Sequence, residues 1–248
     1  MSSYEALAGS YDALTTDVGY RKRADYLEKL FQTSRIPVHT VLDLACGTGT
    51  LTCLLAERGY ELIGADGSED MLAVAQQKAW EVEGERPIFL HQSMQKLDLY
   101  GTVDAAVCCL DSLNYLTSPK DLQRTLARLH LFIAPGGLFV FDVNSVYKLE
   151  RLAGQVFLDE TEDVFCVWRT EYAPRTKIVQ YGMDIFQRQK DGRWCRSREE
   201  HRERAYGEDE LRSYLTAAGF GHIHVYGDLK KTPPKPDEAR LIFTCIRE

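Results

Sequence analysis

The chain has 248 residues, a formal net charge of −7 and seven cysteines. This length suits one domain with an addition, and no run of about 18 apolar residues predicts a membrane span. Because the charge balance is acidic, the sequence has no electrostatic footprint for nucleic acid or an anionic membrane. The odd number of cysteines, without paired metal-ligand spacing, predicts reduced thiols in the cytoplasm and no metal site.

The first 35 residues are predicted to be helical. Tyr20, Ala24, Leu27 and Phe31 recur at helical spacing and form one apolar face. We therefore expect residues 1–35 to cover part of the domain that follows.

The most informative segment is residues 41–49, with the sequence VLDLACGTG. An apolar strand runs into a turn that carries Gly47 and Gly49, and a helical pattern follows over residues 50–58. Glycines there remove the Cβ atoms that would keep a ligand away from the backbone. The next apolar run, Glu61–Asp66, ends in a carboxylate suited to accept hydrogen bonds from both hydroxyls of a ribose. The two runs predict a site for an adenosine derivative.

The same segment argues against a dinucleotide. A G-x-G-x-x-G fingerprint needs a third glycine where this chain has Thr52. Asp43 precedes the glycines, and its charge would repel a pyrophosphate but attract a sulfonium cation. A nicotinamide-dependent oxidoreductase is therefore the less favoured alternative.

Residues 41–49 resemble the first motif of the class I S-adenosylmethionine-dependent methyltransferases, an acid followed by a Cys-Gly-Thr-Gly-like loop. The resemblance implies an α/β fold with a Rossmann-like, seven-stranded, mostly parallel sheet and helices on both faces. It also implies S-adenosylmethionine as cofactor and S-adenosylhomocysteine as product. Ala45 replaces a glycine common at that place and should be tolerated if its φ is negative.

Further cofactor residues follow from the same resemblance. Gly67 and Met71 are implied to border the adenosine, and Ser93 stands where an acid often accepts a bond from the adenine amine. In similar enzymes a tyrosine-bearing N-terminal segment folds over the cofactor. Tyr4, Tyr11 and Tyr20 lie in such a segment, and we favour the last two, with plain helix packing as the alternative. The residues expected to contact the cofactor are Tyr11, Tyr20, Asp43, Ala45, Gly47, Gly49, Asp66, Gly67, Met71, Ser93, Met94 and Leu110.

The rest of the chain continues the α/β alternation. Ser68 is a predicted N-cap for a helix over residues 69–83. The apolar run over residues 103–110 is typical of a parallel strand covered on both faces. The other predicted elements are strand 87–92, a helix beginning at Pro119 behind Ser118, a turn at 135–137, strand 138–143, helix 208–218 stopped by Gly219, and strands 222–226 and 240–246.

Residues 154–206 have a different pattern. Apolar alternation with turn signals at 173–174 and 191–192 predicts antiparallel hairpins. We expect a cofactor-binding core of residues 1–153 and 207–248, with 154–206 inserted as a lid. The apolar face of the insertion covers either an acceptor pocket, with Trp168 and Arg204 among its contacts, or a second subunit. Both a monomer and a homodimer are compatible with this pattern.

The acceptor site is expected beside the cofactor, at the carboxyl end of the fourth strand. Asp111, Asn114 and Tyr115 follow that strand directly, and the first two could orient a polar acceptor. The alternative is that Asp111 and Asn114 only hold a turn through local backbone bonds. Asp111 and His201 are the candidates for a general base, because imidazole titrates near neutrality. For His201 the alternative is a strand histidine without a catalytic role.

The predicted reaction is transfer of a methyl group from S-adenosylmethionine to a nitrogen or oxygen of a small molecule. Such chemistry needs alignment, exclusion of water and, for some acceptors, removal of a proton. Residues 110–115 lack the acid/Asn-Pro-Pro-aromatic motif of enzymes that methylate DNA bases, so a nucleic acid is not expected as partner. The alternative from another class is a regulatory module that binds the cofactor without catalysis.

Overall fold

Two β-sheets form the framework of the protein. The computed structural model describes residues 11–14 and 18–248. The strands are β1 (Thr40–Leu44), β2 (Glu61–Asp66), β3 (Ile88–His91), β4 (Val103–Cys108), β5 (Ile133–Asn144), β6 (Val156–Glu160), β7 (Val164–Ala173), β8 (Ile178–Arg188), β9 (Trp194–Arg204), β10 (Phe220–Gly227) and β11 (Arg240–Arg247). The helices are α1 (Tyr11–Leu14), α2 (Tyr20–Phe31), α3 (Thr50–Ala56), α4 (Glu69–Ala79), α5 (Pro119–Phe132), α6 (Val146–Arg151) and α7 (Glu208–Ala217).

The main sheet has seven strands in the order β3-β2-β1-β4-β5-β11-β10. The five strands from β3 to β5 are parallel, and β11 runs antiparallel to both of its neighbours. The carboxyl ends of the parallel strands therefore meet at one edge, where ligands bind in open α/β sheets. This arrangement confirms the predicted fold.

Helices cover both faces of the main sheet. Successive residues of β1 point to opposite faces: Val41 packs in a cluster with α2 and α3, and Leu42 packs in a cluster with α5 and α7. Both side chains are fully buried. Because helices cover both faces, successive residues of the strand are apolar. In the described part of the chain, no helix combines the length and apolarity that crossing a bilayer requires.

The predicted turn at 135–137 and the predicted end of helix α4 differ most from the structure. The turn expected at 135–137 lies inside β5, because the strand already pairs Ile133 with Val103. Gly136 has a φ of +80°, and the register shifts opposite this point, so the glycines form an irregularity within the strand. Helix α4 ends at Ala79, short of the predicted residue 83, although the Ser68 hydroxyl caps it by accepting from the Met71 N–H at 3.3 Å.

Strands β6 to β9 form a separate antiparallel sheet, which we call the insertion sheet. On one face Cys166, Met183 and Ile185 are buried, and Tyr11 of the main domain packs against them. On the opposite face three arginines converge on the Asp184 carboxylate, namely Arg169, Arg196 and Arg198. The insertion sheet thus has an inner face toward the main domain and a charged outer face.

Candidate cofactor and acceptor site

A cavity of about 270 Å³ opens at the carboxyl ends of β1, β2 and β4. Every residue predicted to contact the cofactor lines this cavity except Gly49. Of the predicted acceptor residues, only Tyr115 lines it. Lining residues outside the prediction include Cys46, Thr48, Thr50, Leu51, Ala65, Ser68, Gln92, Gln95, Cys109, Ser112 and Leu116.

The turn after β1 bends through a left-handed residue. Ala45 has a φ of +58°, so the negative φ that was the condition for tolerating an alanine here is not met. The N–H groups of Ala45 and Cys46 both donate to the Ala65 carbonyl, at 2.7 and 3.2 Å. These two bonds tie the turn to β2 and hold the alanine in a conformation that costs an L-residue roughly 1–2 kcal/mol.

The two glycines of the turn have different roles. A Cβ built on Gly47 meets no described atom within 4 Å, so its backbone is open to the cavity. A Cβ on Gly49 would lie 2.8 Å from the Cβ of Ala75 on α4. Gly49 therefore allows α3 and α4 to pack closely, and the structure places it off the cavity, contrary to its predicted cofactor contact.

Asp66 is held by backbone amides at the tip of β2. Its Oδ2 accepts from the Gly47 N–H at 2.9 Å, and its Oδ1 accepts from the Ser68 N–H at 2.8 Å. Burial raises the pKa of Asp66, while these backbone bonds oppose the rise. Each carboxylate oxygen has capacity for a further bond, so the fixed group is suited to two ribose hydroxyls.

Asp43 is almost fully buried near the end of β1. Burial raises the pKa of its carboxyl to about 7; a hydrogen bond from Thr52 opposes the rise, and the nearby Asp66 charge adds to it. The Thr52 hydroxyl donates at 2.6 Å. Sequence reasoning treated Thr52 only as a missing glycine and did not predict this bond. A threonine or serine nine residues after the motif acid was the available signal.

Helix α1 is fastened over the glycine turn by Asp12. Its carboxylate accepts from the hydroxyls of Thr48 at 2.8 Å and Thr50 at 3.2 Å, and it pairs with Lys78 at 2.5 Å. Tyr11 is consequently placed between the cavity and the insertion sheet. Tyr4, which belongs to the same predicted segment, lies outside the described residues.

The loop after β4 uses two predicted acceptor residues for other contacts. Asp111 pairs with Arg240 at 2.6 Å. Asn114 is fully buried, accepts from the Asn144 N–H at 2.9 Å and donates to the Arg204 carbonyl at 2.9 Å. Both side chains therefore hold distant parts of the backbone, and neither lines the cavity. The alternative, that these side chains make local bonds within the turn, was also wrong, because their partners are distant in the sequence.

Tyr115 joins the cavity to the insertion sheet. Its ring lines the cavity and meets the His201 ring edge-on, with centroids 5.9 Å apart. His201 is buried, and its Nε2 lies 2.8 Å from a Glu199 carboxylate oxygen. Glu199 was not predicted, because its pairing depends on two residues sharing a face of β9.

The other predicted residues of the insertion lie away from the cavity. Trp168 packs edge-on against Tyr181, with ring centroids 6.4 Å apart. Arg204 pairs with Glu210 at 2.9 Å, and its guanidinium stacks 4.5 Å above the ring of Tyr206. The structure thus gives Trp168 and Arg204 packing and ion-pair contacts within the fold.

Glu203 is a buried acid that the sequence did not point to. It accepts a bond from the Asn144 side-chain amide at 2.8 Å. Burial and then the Asp111 charge raise its pKa to about 7, and the hydrogen bonds of Asn144 and Tyr181 oppose the rise. The end of β5 is therefore bonded both to the loop after β4 and to the insertion sheet.

Comparison with known proteins identifies the family. Residues 41–137 match the family described as a methyltransferase domain. A protein of Geobacillus sp. (strain WCH70) that is named as a methyltransferase is 32% identical over 98% of this chain and 99% of its own length. The glycine/sarcosine N-methyltransferase of Halorhodospira halochloris is 25% identical over 84% of this chain and 75% of its own length.

A solved structure has the same fold along almost the whole chain. The S-adenosylmethionine-dependent methyltransferase of Clostridium acetobutylicum ATCC 824 superposes with a TM-score of 0.87, at 29% identity, and covers 98% of both chains. The present chain belongs to the S-adenosylmethionine-dependent methyltransferases and is an enzyme of that class. The nicotinamide and non-catalytic alternatives are therefore set aside.

The residues of the cavity fit the cofactor of this family. The Asp66 carboxylate is fixed by two backbone amides at the cavity, and the Gly47 backbone is open where a Cβ would otherwise intrude. Met71 and Leu110 supply apolar surface, and Asp43 supplies a carboxyl group. This combination of one orienting acid, one acid suited to a cation and an apolar wall matches an adenosine that carries a sulfonium group.

Proposed function

We propose that the enzyme transfers the methyl group of S-adenosylmethionine to a nitrogen or oxygen of a small molecule bound between the two sheets. The observation that carries this proposal is the contact of Tyr115 with His201, which joins the cofactor cavity to the inner face of the insertion sheet. The name of the Halorhodospira relative, which specifies glycine and sarcosine, supports a small amine as one acceptor to test.

The cofactor supplies an electrophilic methyl group on a sulfonium centre. Asp66 and the Gly47 backbone hold the adenosine end, and Asp43 lies in the same cavity with a carboxyl suited to the cation. Tyr11, Tyr20 and Tyr115 close the cavity with aromatic surface, which limits the entry of water. These residues bind and align the reactants, the main requirement of an in-line displacement.

His201 is the proposed acceptor of the proton that the nucleophile loses. With its Nε2–H donated to Glu199, a neutral ring has Nδ1 as its basic nitrogen. Glu199 then fixes the tautomer and stabilises the imidazolium that forms. Asp111 is not proposed for this role, because its carboxylate is paired with Arg240.

The experiment is a methyl-transfer assay with labelled S-adenosylmethionine, a panel of small amines and alcohols, and any ligand that mass spectrometry finds with the purified protein. Loss of a general base lowers the rate by roughly 100-fold or more. We expect His201→Gln to show such a loss while S-adenosylhomocysteine affinity stays within about twofold. His224→Gln, at an exposed histidine of β10, is the matched control and should keep full activity. Undiminished transfer by His201→Gln would contradict the proposed role.

The insertion is proposed to act as a lid that selects the acceptor. Replacing residues 154–206 by a Gly/Ser linker should leave S-adenosylhomocysteine affinity within a few-fold but abolish transfer to the native acceptor. If activity persists and light scattering shows a dimer becoming a monomer, the insertion is an interface instead. We place the enzyme in the cytoplasm, which its seven free cysteine thiols support.

A further inference from the structure

The loop that follows β4 has an unusual backbone. Leu110 and Asp111 have φ values of +59° and +55°, so two successive non-glycine residues are left-handed. Such residues are rare as neighbours, and surrounding contacts must hold them in place. Leu110 matters for the ligand because it lines the cofactor cavity.

Asp142, near the end of β5, supplies those contacts. Its Oδ2 accepts from the Leu110 N–H at 2.9 Å, and its Oδ1 accepts from the Asp111 N–H at 2.8 Å. One carboxylate thus receives both amides of the left-handed pair. The Asp142 side chain is almost fully buried, so water does not replace these bonds.

Two arginines complete the cluster from distant parts of the chain. Arg23 of α2 donates to Asp142 Oδ2 at 3.0 Å, and Arg240 of β11 donates to Oδ1. Arg240 also donates to the Asp111 carboxylate at 2.6 Å. Burial alone would raise the pKa of Asp142, but the two arginines and the two amides lower it overall, which favours the ionised form.

We propose that Asp142 is a positioning residue for cofactor binding, which holds Leu110 and Asp111 in the left-handed conformation that shapes the cavity wall. Arg240 fixes the carboxylate and the Asp111 side chain together. Arg23 connects the same carboxylate to α2, the helix that begins with the cavity residue Tyr20. The wall of the cavity at Leu110 is consequently set by three segments that are far apart in the sequence.

The test compares Asp142→Asn with Asp184→Asn by calorimetry with S-adenosylhomocysteine. Asp184 is the matched control, because it is also a buried aspartate bound by arginines but lies on the outer face of the insertion sheet. In Asp142→Asn, one acceptor oxygen is replaced by an NH2 group, which cannot accept a hydrogen bond. The backbone amide and the arginine that now donate to that oxygen would then face a donor. We expect Asp142→Asn to weaken binding by roughly tenfold or more and Asp184→Asn to leave it within about twofold.

Amide hydrogen exchange at residues 110 and 111 separates positioning from general stability. Asp142→Asn should accelerate exchange at both amides relative to the amides of β4, in protein that is still folded. Arg240→Lys is the second variant, since it keeps the charge but loses the fork that reaches both carboxylates. It should weaken binding in the same direction and to a lesser degree. The proposal is overturned if folded Asp142→Asn binds normally, or, where that variant does not fold, if Arg240→Lys changes neither affinity nor exchange.

Discussion

Thr52 on α3 donates a 2.6 Å hydrogen bond to the buried carboxyl group of Asp43 near the end of β1. The bond crosses from helix to strand beneath the glycine turn, so it links the cavity floor to the first turn of α3. It also opposes the rise in pKa that burial imposes on Asp43, and thereby favours the charged form of a cavity residue. A dinucleotide site would have glycine in place of Thr52, and this bond would be absent.

The pH dependence of cofactor affinity follows from this pair. Asp43 has a pKa raised to about 7, so its negative charge is acquired as the pH rises through neutrality. S-adenosylmethionine carries a sulfonium charge that its product lacks. We expect the affinity for S-adenosylmethionine, divided by the affinity for S-adenosylhomocysteine, to rise by roughly tenfold between pH 6 and pH 8. This change is equivalent to about 1.4 kcal/mol.

Titration calorimetry at several pH values measures that ratio. A titrating group that changes both affinities equally does not change the ratio. Thr52→Val serves as the comparison variant, because it removes a bond that favours the ionised carboxyl. In this variant the affinity ratio should rise at a higher pH than in the unmodified protein. A ratio that does not change with pH would contradict an interaction between the Asp43 carboxylate and the sulfonium charge.

Asp66→Ala should weaken S-adenosylhomocysteine binding by at least about tenfold, because it removes two charge-assisted bonds worth roughly 1.5–3 kcal/mol each. It also releases the Gly47 and Ser68 amides that the carboxylate now accepts. Calorimetry gives the affinity, and urea unfolding shows whether the fold persists. Asp104→Ala, at the other end of the main sheet, is a control that should leave the affinity unchanged. Unaltered binding by Asp66→Ala would remove the ribose assignment.

The two glycines of the turn should respond differently to substitution. Gly47→Val directs a branched side chain into open space at the cavity and strains a φ of +54°, so binding should be lost. Gly49→Ala should chiefly destabilise the fold, by roughly 1–3 kcal/mol, since its Cβ would collide with Ala75. Binding and unfolding measured on both variants distinguish these effects. Normal binding by Gly47→Val would show that the turn does not face the ligand.

Ala45→Gly should be neutral or stabilising, by up to about 1 kcal/mol. Glycine relieves the left-handed alanine at a φ of +58°, and its extra freedom in the unfolded chain offsets part of the gain. Chemical denaturation measures the net change. Ala106→Gly in β4 is the contrasting substitution, because there glycine brings no relief of strain and should destabilise. A clear loss of stability in Ala45→Gly would indicate that the alanine methyl has a packing role that outweighs its backbone strain.

The cavity residues were predicted best from the sequence where each one lies at or just after the end of a strand. Asp43, Gly47 and Asp66 lie at the ends of two neighbouring parallel strands, so their local position also gives their place in space. The φ of Ala45 could not be read from the sequence, because it is fixed by bonds to the Ala65 carbonyl on another strand. Asp142 and Glu203 gave no local pattern, since their partners come from four separate segments. Asp111 and Asn114 were predicted to orient the acceptor, but their side chains bond to distant residues of the fold instead.

The bonds that fasten the insertion sheet have a consequence for how such enzymes diversify. Asn114 and Asn144 reach the last strand of the insertion through the Arg204 carbonyl and the Glu203 carboxyl group. One of these attachments is to backbone, which any residue at 204 provides, and the other needs a single acid at the end of β9. A recombinant chain could therefore exchange β6 to β8 with those of a relative while keeping both anchors and all residues that line the cavity. Chimeras made with that boundary would test whether the insertion sheet selects the acceptor.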